Sequence, residues 1–122
     1  MERVVGIGGV FFRAKDPEAL AAWYEQNLGI TSMPSGWSWE QEAGATVFAP
    51  FPADTDYFGR PDQQVMLNFR VTNLDAMLAQ LRAAGTTVDD EIAQADFGRF
   101  GHATDPEGNR FELWQPGDIP DS

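Results

Sequence analysis

Two stretches of the chain carry apolar residues at the spacing of an amphipathic α-helix. The first begins after Asp16, a favourable N-terminal cap, has Pro17 at its first helical position and stops at Gly29. The second begins after Thr72 or Asn73 and stops at Gly85. The apolar stripes are Leu20, Trp23, Tyr24 and Leu28 in the first and Leu74, Met77, Leu78 and Leu81 in the second. We expect each helix to lie on a sheet with its polar side in water.

Segments typical of β-strands surround both helices. A dense turn signal at residues 105–109 predicts that the last two strands form a hairpin, and residues 52–62 form a predicted loop between two halves. The predicted strands are residues 7–13, 37–42, 45–51, 64–71, 86–92, 99–104 and 110–115.

The two halves repeat each other in sequence. Phe12-Arg13 recurs as Phe69-Arg70, and Ala19 recurs as Ala76 at the same offset. The pattern predicts a single α+β domain over residues 1–122, with one βαβββ module at about 6–58 and a second at about 63–116. Each module must bury the apolar face of its sheet, so the pair is expected to form a curved, mostly antiparallel sheet that encloses a cavity, with the helices outside.

Composition limits the function classes. The chain has 122 residues, a formal net charge of -11 and no cysteine. The charge repels phosphate, so nucleic acid and membranes are not expected as partners, and it favours a cationic ligand; alternatively, it serves solubility alone. No apolar run is long enough to span a bilayer, and the N-terminal residues do not have the pattern of a signal peptide, so a cytoplasmic location is expected.

Two sequence stretches carry a resemblance to a known family. Residues 8–17 with Trp23-Tyr24 and Leu28-Gly29, and above all the closing stretch 105–114, resemble the vicinal-oxygen-chelate superfamily. That superfamily includes glyoxalase I, extradiol dioxygenases, fosfomycin-resistance enzymes and bleomycin-resistance proteins. The resemblance implies paired modules and a U-shaped cavity that usually holds a divalent metal. A ferredoxin-like sandwich, the alternative fold, would need no internal repeat.

The resemblance also assigns four metal-ligand positions, and this chain keeps one of them. The positions fall at Gly9, Phe48, Met66 and Glu112, of which Glu112 alone carries the expected donor. One carboxylate does not hold a catalytic metal, since such sites use three protein ligands. We therefore expect no metal and no other cofactor. The bleomycin-resistance branch also lacks these ligands and works by binding.

Candidate site residues come from the hairpin and from the aromatic side chains. Strand alternation puts Glu112 on a face with Arg110 and Trp114, and His102 lies on the paired strand, so His102 and Glu112 are a candidate acid/base pair. The alternative is a structural role for both, with Glu112 paired to Arg110. Tyr57 lies where a lid loop is expected. Further candidates for contact with an aromatic or cationic ligand are Trp37, Trp39, Phe48, Met66, Phe100 and Trp114.

Two functions remain open from sequence. The first is a small-molecule-binding protein of the glyoxalase/bleomycin-resistance type. The second is a glyoxalase-like lyase, isomerase or epimerase that uses His102 and Glu112. A homodimer is expected in either case, because a curled sheet of this size leaves apolar edges.

Overall fold

The computed structural model describes residues 1–32, 36 and 38–117, and it has two helices and five strands. In chain order the elements are α1 Pro17–Leu28, β1 Asn68–Arg70, α2 Leu74–Ala83, β2 Thr87–Val88, β3 Ala93–Ala95, β4 Gly98–Thr104 and β5 Arg110–Pro116. The α+β class is confirmed. Over the described residues, no helix is long and apolar enough to cross a membrane.

Both helices begin and end where the sequence signals place them. The side chains of Asp16 and Asn73 each accept a hydrogen bond from the backbone N–H three residues later, which satisfies a donor that the first helical turn leaves free. Gly29 and Gly85 follow the helices with φ of 71° and 83°, a left-handed conformation that costs glycine little.

The sheet is mostly antiparallel and is built around β4. The strand order is β1-β5-β4-β2, and β3 also pairs with β4; β1 runs parallel to β5. The β4–β5 hairpin sets His102 directly opposite Glu112 and Phe100 opposite Trp114. The hairpin register therefore brings four of the predicted site residues side by side.

Helix α2 covers one face of this sheet. Its leucines pack against inward-facing residues of β4 and β5 to form the core, which consists of Leu74, Leu78, Leu81, Ala103, Phe111 and Leu113. Each of these leucines is at most 1% exposed, and burying such a side chain stabilises the fold by about 1.5–3 kcal/mol. Because side chains alternate along a strand, Phe100, His102, Glu112 and Trp114 lie on the opposite side. We call that side the open face.

The first half differs from its prediction. Helix α1 forms, but the described residues of segments 7–13, 37–42 and 45–51 form no strand. Gly9 and Met66, which belong to the predicted strands 7–13 and 64–71, both lie outside the observed strands. Phe11 is 95% exposed and Phe48 85% exposed. A strand needs a hydrogen-bonded neighbour, and the described residues of these segments pair with none of the five strands.

The turn at residues 105–109 holds helix α1 against the hairpin. Asp105 accepts two backbone hydrogen bonds from its own turn and, through Oδ2, one from the Tyr24 hydroxyl at 2.7 Å. The carboxylate of Glu107 accepts hydrogen bonds at 2.6 and 2.9 Å from the two backbone N–H groups that precede α1. The two stretches that carry the family resemblance, residues 8–17 and 105–114, are therefore in direct contact.

A side chain completes the edge of β5 where β1 does not reach. The Gln63 amide donates to the Arg110 carbonyl at 2.8 Å and accepts from the Arg110 N–H at 2.9 Å. This pair of bonds has the pattern that a neighbouring strand would make.

Candidate functional site

The centre of the open face is the carboxylate of Glu112, which is 8% exposed. The Asn68 side-chain amide donates to its Oε1 at 2.6 Å, and the Tyr57 hydroxyl donates to its Oε2. The Nε2 atom of His102 lies 3.0 Å from the same Oε2. Residues from β1, β4, β5 and the 52–62 loop thus converge on one carboxylate.

These neighbours decide the charge of Glu112. Burial alone raises the pKa of the carboxyl, because a charged group is poorly solvated inside the protein. The contact with His102 and the hydrogen bonds from Tyr57 and Asn68 together outweigh burial and leave the pKa of Glu112 below its ordinary value. The site therefore holds a buried anion at neutral pH.

His102 lies next to this anion but is not well bonded to it. Its side chain is almost wholly buried, and among the described residues Nε2 has no hydrogen-bond partner of acceptable geometry. The 3.0 Å separation from Glu112 is thus a close contact whose direction does not suit a hydrogen bond. A buried polar atom without a partner is rare and is more often found where a ligand or water binds.

Tyr57 covers the pair and is fixed from two sides. Its ring meets the His102 ring edge-on at 5.1 Å and stacks on Phe51 at 5.7 Å. Arg110 donates to the Tyr57 carbonyl at 3.0 Å and is itself paired with Asp89 at 2.7 Å. Burial, followed by the hydrogen bond to Glu112, raises the pKa of Tyr57 well above its usual range, so the hydroxyl is a neutral donor.

An aromatic pair adjoins the carboxylate on the open face, and it consists of a buried Trp114 and a half-buried Phe100. Phe100 and Trp114 stack with ring centroids 6.1 Å apart and planes within 3° of parallel. The Trp114 indole N–H donates to the Phe97 carbonyl at 3.0 Å, and Phe97 packs edge-on against Phe100. These contacts hold the Trp114 indole in place, two residues along β5 from Glu112.

The remaining predicted ligand contacts do not join this group. Trp39 is 40% exposed and contacts Phe69, which packs into the core on the helix-covered side. Phe48 is largely exposed and Met66 is half-buried. Trp37 lies outside the described residues. The stacking surface predicted from three tryptophans therefore rests on Trp114 with Phe100, and ligand contact by the others stays a prediction.

The residues do not fit the divalent metal that the superfamily usually holds. Of the four ligand positions, Gly9, Phe48 and Met66 offer no hard donor, which leaves Glu112. Within the part of the chain that the structure describes, no three His, Cys, Asp or Glu side chains are grouped so as to hold a metal ion.

Two surface clefts lie away from this cluster. One, of about 480 Å³, runs along helix α1 and the 105–109 turn. The other, of about 150 Å³, lies between residues 10–12 and the segment before β1. Their walls are mostly apolar, and neither contains His102 or Glu112. We assign the candidate site to the open face because the buried charge and the unpartnered imidazole lie there.

The fold and the site define a small α+β protein with one buried carboxylate at the centre of its open face. The sequence model of the glyoxalase-like domain family matches residues 9–114. The chain belongs to that family, and the resemblance to the vicinal-oxygen-chelate superfamily is confirmed.

Solved structures agree with this assignment. TnmS3, an antibiotic binding protein from Streptomyces sp. CB03234, is 26% identical over 85% of this chain and 89% of its own, with a TM-score of 0.55. A glyoxalase/bleomycin resistance protein from the same strain is 26% identical over 83% and 92%, with a TM-score of 0.52. Lactoylglutathione lyase from Agrobacterium tumefaciens, 16% identical over 93% and 96% with a TM-score of 0.54, shares the fold. No curated protein matches the chain significantly.

Asn68 and the Tyr57 hydroxyl are the site groups that sequence reasoning missed. Both reach Glu112 from distant parts of the chain, so no local spacing connects them to it. In the sequence, Asn68 could have been recognised as a polar side chain on the predicted strand 64–71, two residues before Arg70. For Tyr57, the signal was an aromatic side chain in a loop of turn-forming residues.

Proposed function

We propose that this chain binds a small, flat, aromatic cation on the open face and does so without a metal. The observation that carries the proposal is the buried Glu112 carboxylate beside the parallel Phe100–Trp114 pair. A buried anion attracts a positive group, and an indole face adds a cation–π attraction. The bleomycin-resistance kind of binding, by sequestration, is the form of the function that we propose.

Two further facts support binding. The net charge of -11 favours approach of a cation over an anion. TnmS3, at 26% identity, is described as an antibiotic binding protein. We further propose that the protein acts in the cytoplasm as a homodimer, with no nucleic acid and no membrane as partner.

The test is a matched pair of three-ring probes measured by isothermal titration calorimetry. Proflavine carries a positive charge and anthraquinone-2-sulfonate a negative one, on bodies of similar size. We expect proflavine to bind and the sulfonate not to. Glu112→Gln keeps the side-chain volume and removes the charge, so it should weaken proflavine binding about tenfold or more. Equal binding of both probes, or an unchanged affinity in the variant, would contradict the proposal.

A second candidate function has one specific support, the 3.0 Å contact of His102 with Glu112. A carboxylate beside an imidazole is a common acid/base arrangement, as a lyase, isomerase or epimerase needs. A carboxyl with a lowered pKa is, however, a weak base, which favours binding over proton abstraction. Deuterium exchange into the methyl group of pyruvate, which is adjacent to its keto carbon, tests it when followed by NMR in wild type and His102→Gln; exchange that requires His102 would favour the enzyme.

A further inference from the structure

Three side chains contact Glu112, and they differ in how firmly they are held. Asn68 belongs to β1 and His102 to β4, so both are fixed by the sheet ladder. Tyr57 belongs to the 52–62 loop, which contains turns but no helix or strand. Tyr57 can therefore leave Glu112 without breaking a sheet hydrogen bond.

The contacts that hold Tyr57 lie near the surface. Tyr57 is 36% exposed as a residue, and Phe51, on which its ring stacks, is 45% exposed. Beneath it, His102 and Glu112 are 6% and 8% exposed. Segments with few buried contacts open at low free-energy cost, and displacing Tyr57 would break the Phe51 stack and the Arg110 hydrogen bond to its carbonyl but no sheet pairing.

Departure of Tyr57 would leave two polar atoms in need of partners. Glu112 Oε2 would lose its donor, and His102 Nε2 already has none among the described residues. An unsatisfied buried acceptor is costly, and an ionised carboxylate accepts hydrogen bonds but cannot donate them. A molecule that replaces Tyr57 must therefore bring a donor of its own.

We infer that Tyr57 is a lid over this site and determines its specificity. Before a ligand binds, the Tyr57 hydroxyl makes the hydrogen bond to Glu112 that an N–H group of the ligand makes afterwards. The inference rests on the proposed function for the ligand's location, and it adds a chemical requirement. The ligand is a cation that carries N–H groups, such as a protonated amine or amidine. A quaternary cation of the same shape lacks the hydrogen bond.

The lid is tested without any ligand, because His102 is the only histidine in the chain. Diethyl pyrocarbonate acylates accessible imidazole, and the rise in absorbance at 240 nm follows one residue. We expect slow modification in wild type and at least about fivefold faster modification in Tyr57→Ala. Phe58→Ala is the matched control, since it removes the neighbouring ring from the same loop and should leave the rate unchanged. Circular dichroism checks that each variant is folded.

The donor requirement is tested by binding. Proflavine carries N–H donors and 10-methylacridinium has none, although both are flat three-ring cations. Wild type should prefer proflavine by about tenfold, the value of one charge-assisted hydrogen bond. Tyr57→Phe removes the competing hydroxyl and keeps the ring, so proflavine should bind several-fold more tightly to it.

The outcomes separate the two proposals. A wild-type modification rate equal to that of Tyr57→Ala, or an equal increase in Phe58→Ala, refutes the lid whatever binds. Weaker proflavine binding to Tyr57→Phe, or no preference over 10-methylacridinium, refutes the donor requirement. If neither cation binds while Tyr57→Ala alone accelerates modification, the proposed function fails and the lid stands.

Discussion

The contact between helix α1 and the 105–109 turn gives the sharpest stability prediction. Tyr24 is 7% exposed, and its ring packs against Trp23 and Phe111 while its hydroxyl donates to Asp105 Oδ2 at 2.7 Å. Burial, and then the bond to Asp105, raises the pKa of Tyr24 far above its usual range, so the hydroxyl remains a neutral donor. Tyr24→Phe removes this donor and keeps the ring.

The expected loss follows from what Asp105 retains. A hydrogen bond to a charged group contributes about 1.5–3 kcal/mol, and the Asn109 amide still donates to the same oxygen at 2.8 Å. We therefore expect Tyr24→Phe to lower the free energy of unfolding by about 2 kcal/mol. For a domain of this length, that corresponds to a fall in Tm of roughly 6–10 °C.

Equilibrium urea unfolding of Tyr24→Phe, Asp105→Asn and the double variant measures the effect. The double variant should lose less than the sum of the single losses, because the two groups bond to each other. Tyr57→Phe likewise removes a donor from a buried carboxylate, that of Glu112, so we expect a loss of comparable size. A Tyr24→Phe protein within about 0.5 kcal/mol of wild type, or strictly additive losses, would refute the reasoning.

Three further predictions concern acid stability, backbone conformation and assembly. The pKa of Glu112 is lowered in the folded state, so its ionisation stabilises the fold above the ordinary glutamate value of about 4.3, and this stability is lost as the pH falls towards the folded-state pKa. Wild type should therefore lose its advantage over Glu112→Gln below about pH 4. Urea midpoints of both proteins between about pH 3 and 7 measure this. Gly98→Ala should destabilise by more than about 2 kcal/mol, because φ is +139° and a Cβ would lie 2.3 Å from the Gln115 carbonyl oxygen, whereas Gly6→Ala, with open space around it, should not; equal thermal shifts would count against this. Light scattering should give twice the 13.5 kDa chain mass, because of the exposed apolar side chains of the first half, and a monomer mass at micromolar concentration would contradict pairing.

The sequence predicted the second half of the fold well because its signals are local. The turn at residues 105–109 fixes the hairpin, and the predicted strands 99–104 and 110–115 are within one residue of β4 and β5. That register alone brings His102 to Glu112. Helical spacing and capping residues likewise placed α1 and α2.

The first-half strands were wrong for the described chain because strand formation depends on a partner. Segment 45–51 has suitable apolar residues, yet Phe48 is left largely exposed. Alternating apolar residues indicate that a segment can bury one of its sides, but they do not identify the element that packs against that side. Similarly, Tyr57 and Asn68 meet Glu112 through tertiary contacts that no spacing in the sequence encodes.

The Gln63 amide has a consequence for solubility at high concentration. A free strand edge is a template on which another chain can add a strand, and this is a common start of aggregation. At Arg110 both edge groups are already occupied by the Gln63 side chain. The Gln63 amide thus takes the place of a neighbouring strand at one residue. We expect it to prevent another chain from pairing with β5 at the point where β5 extends beyond β1.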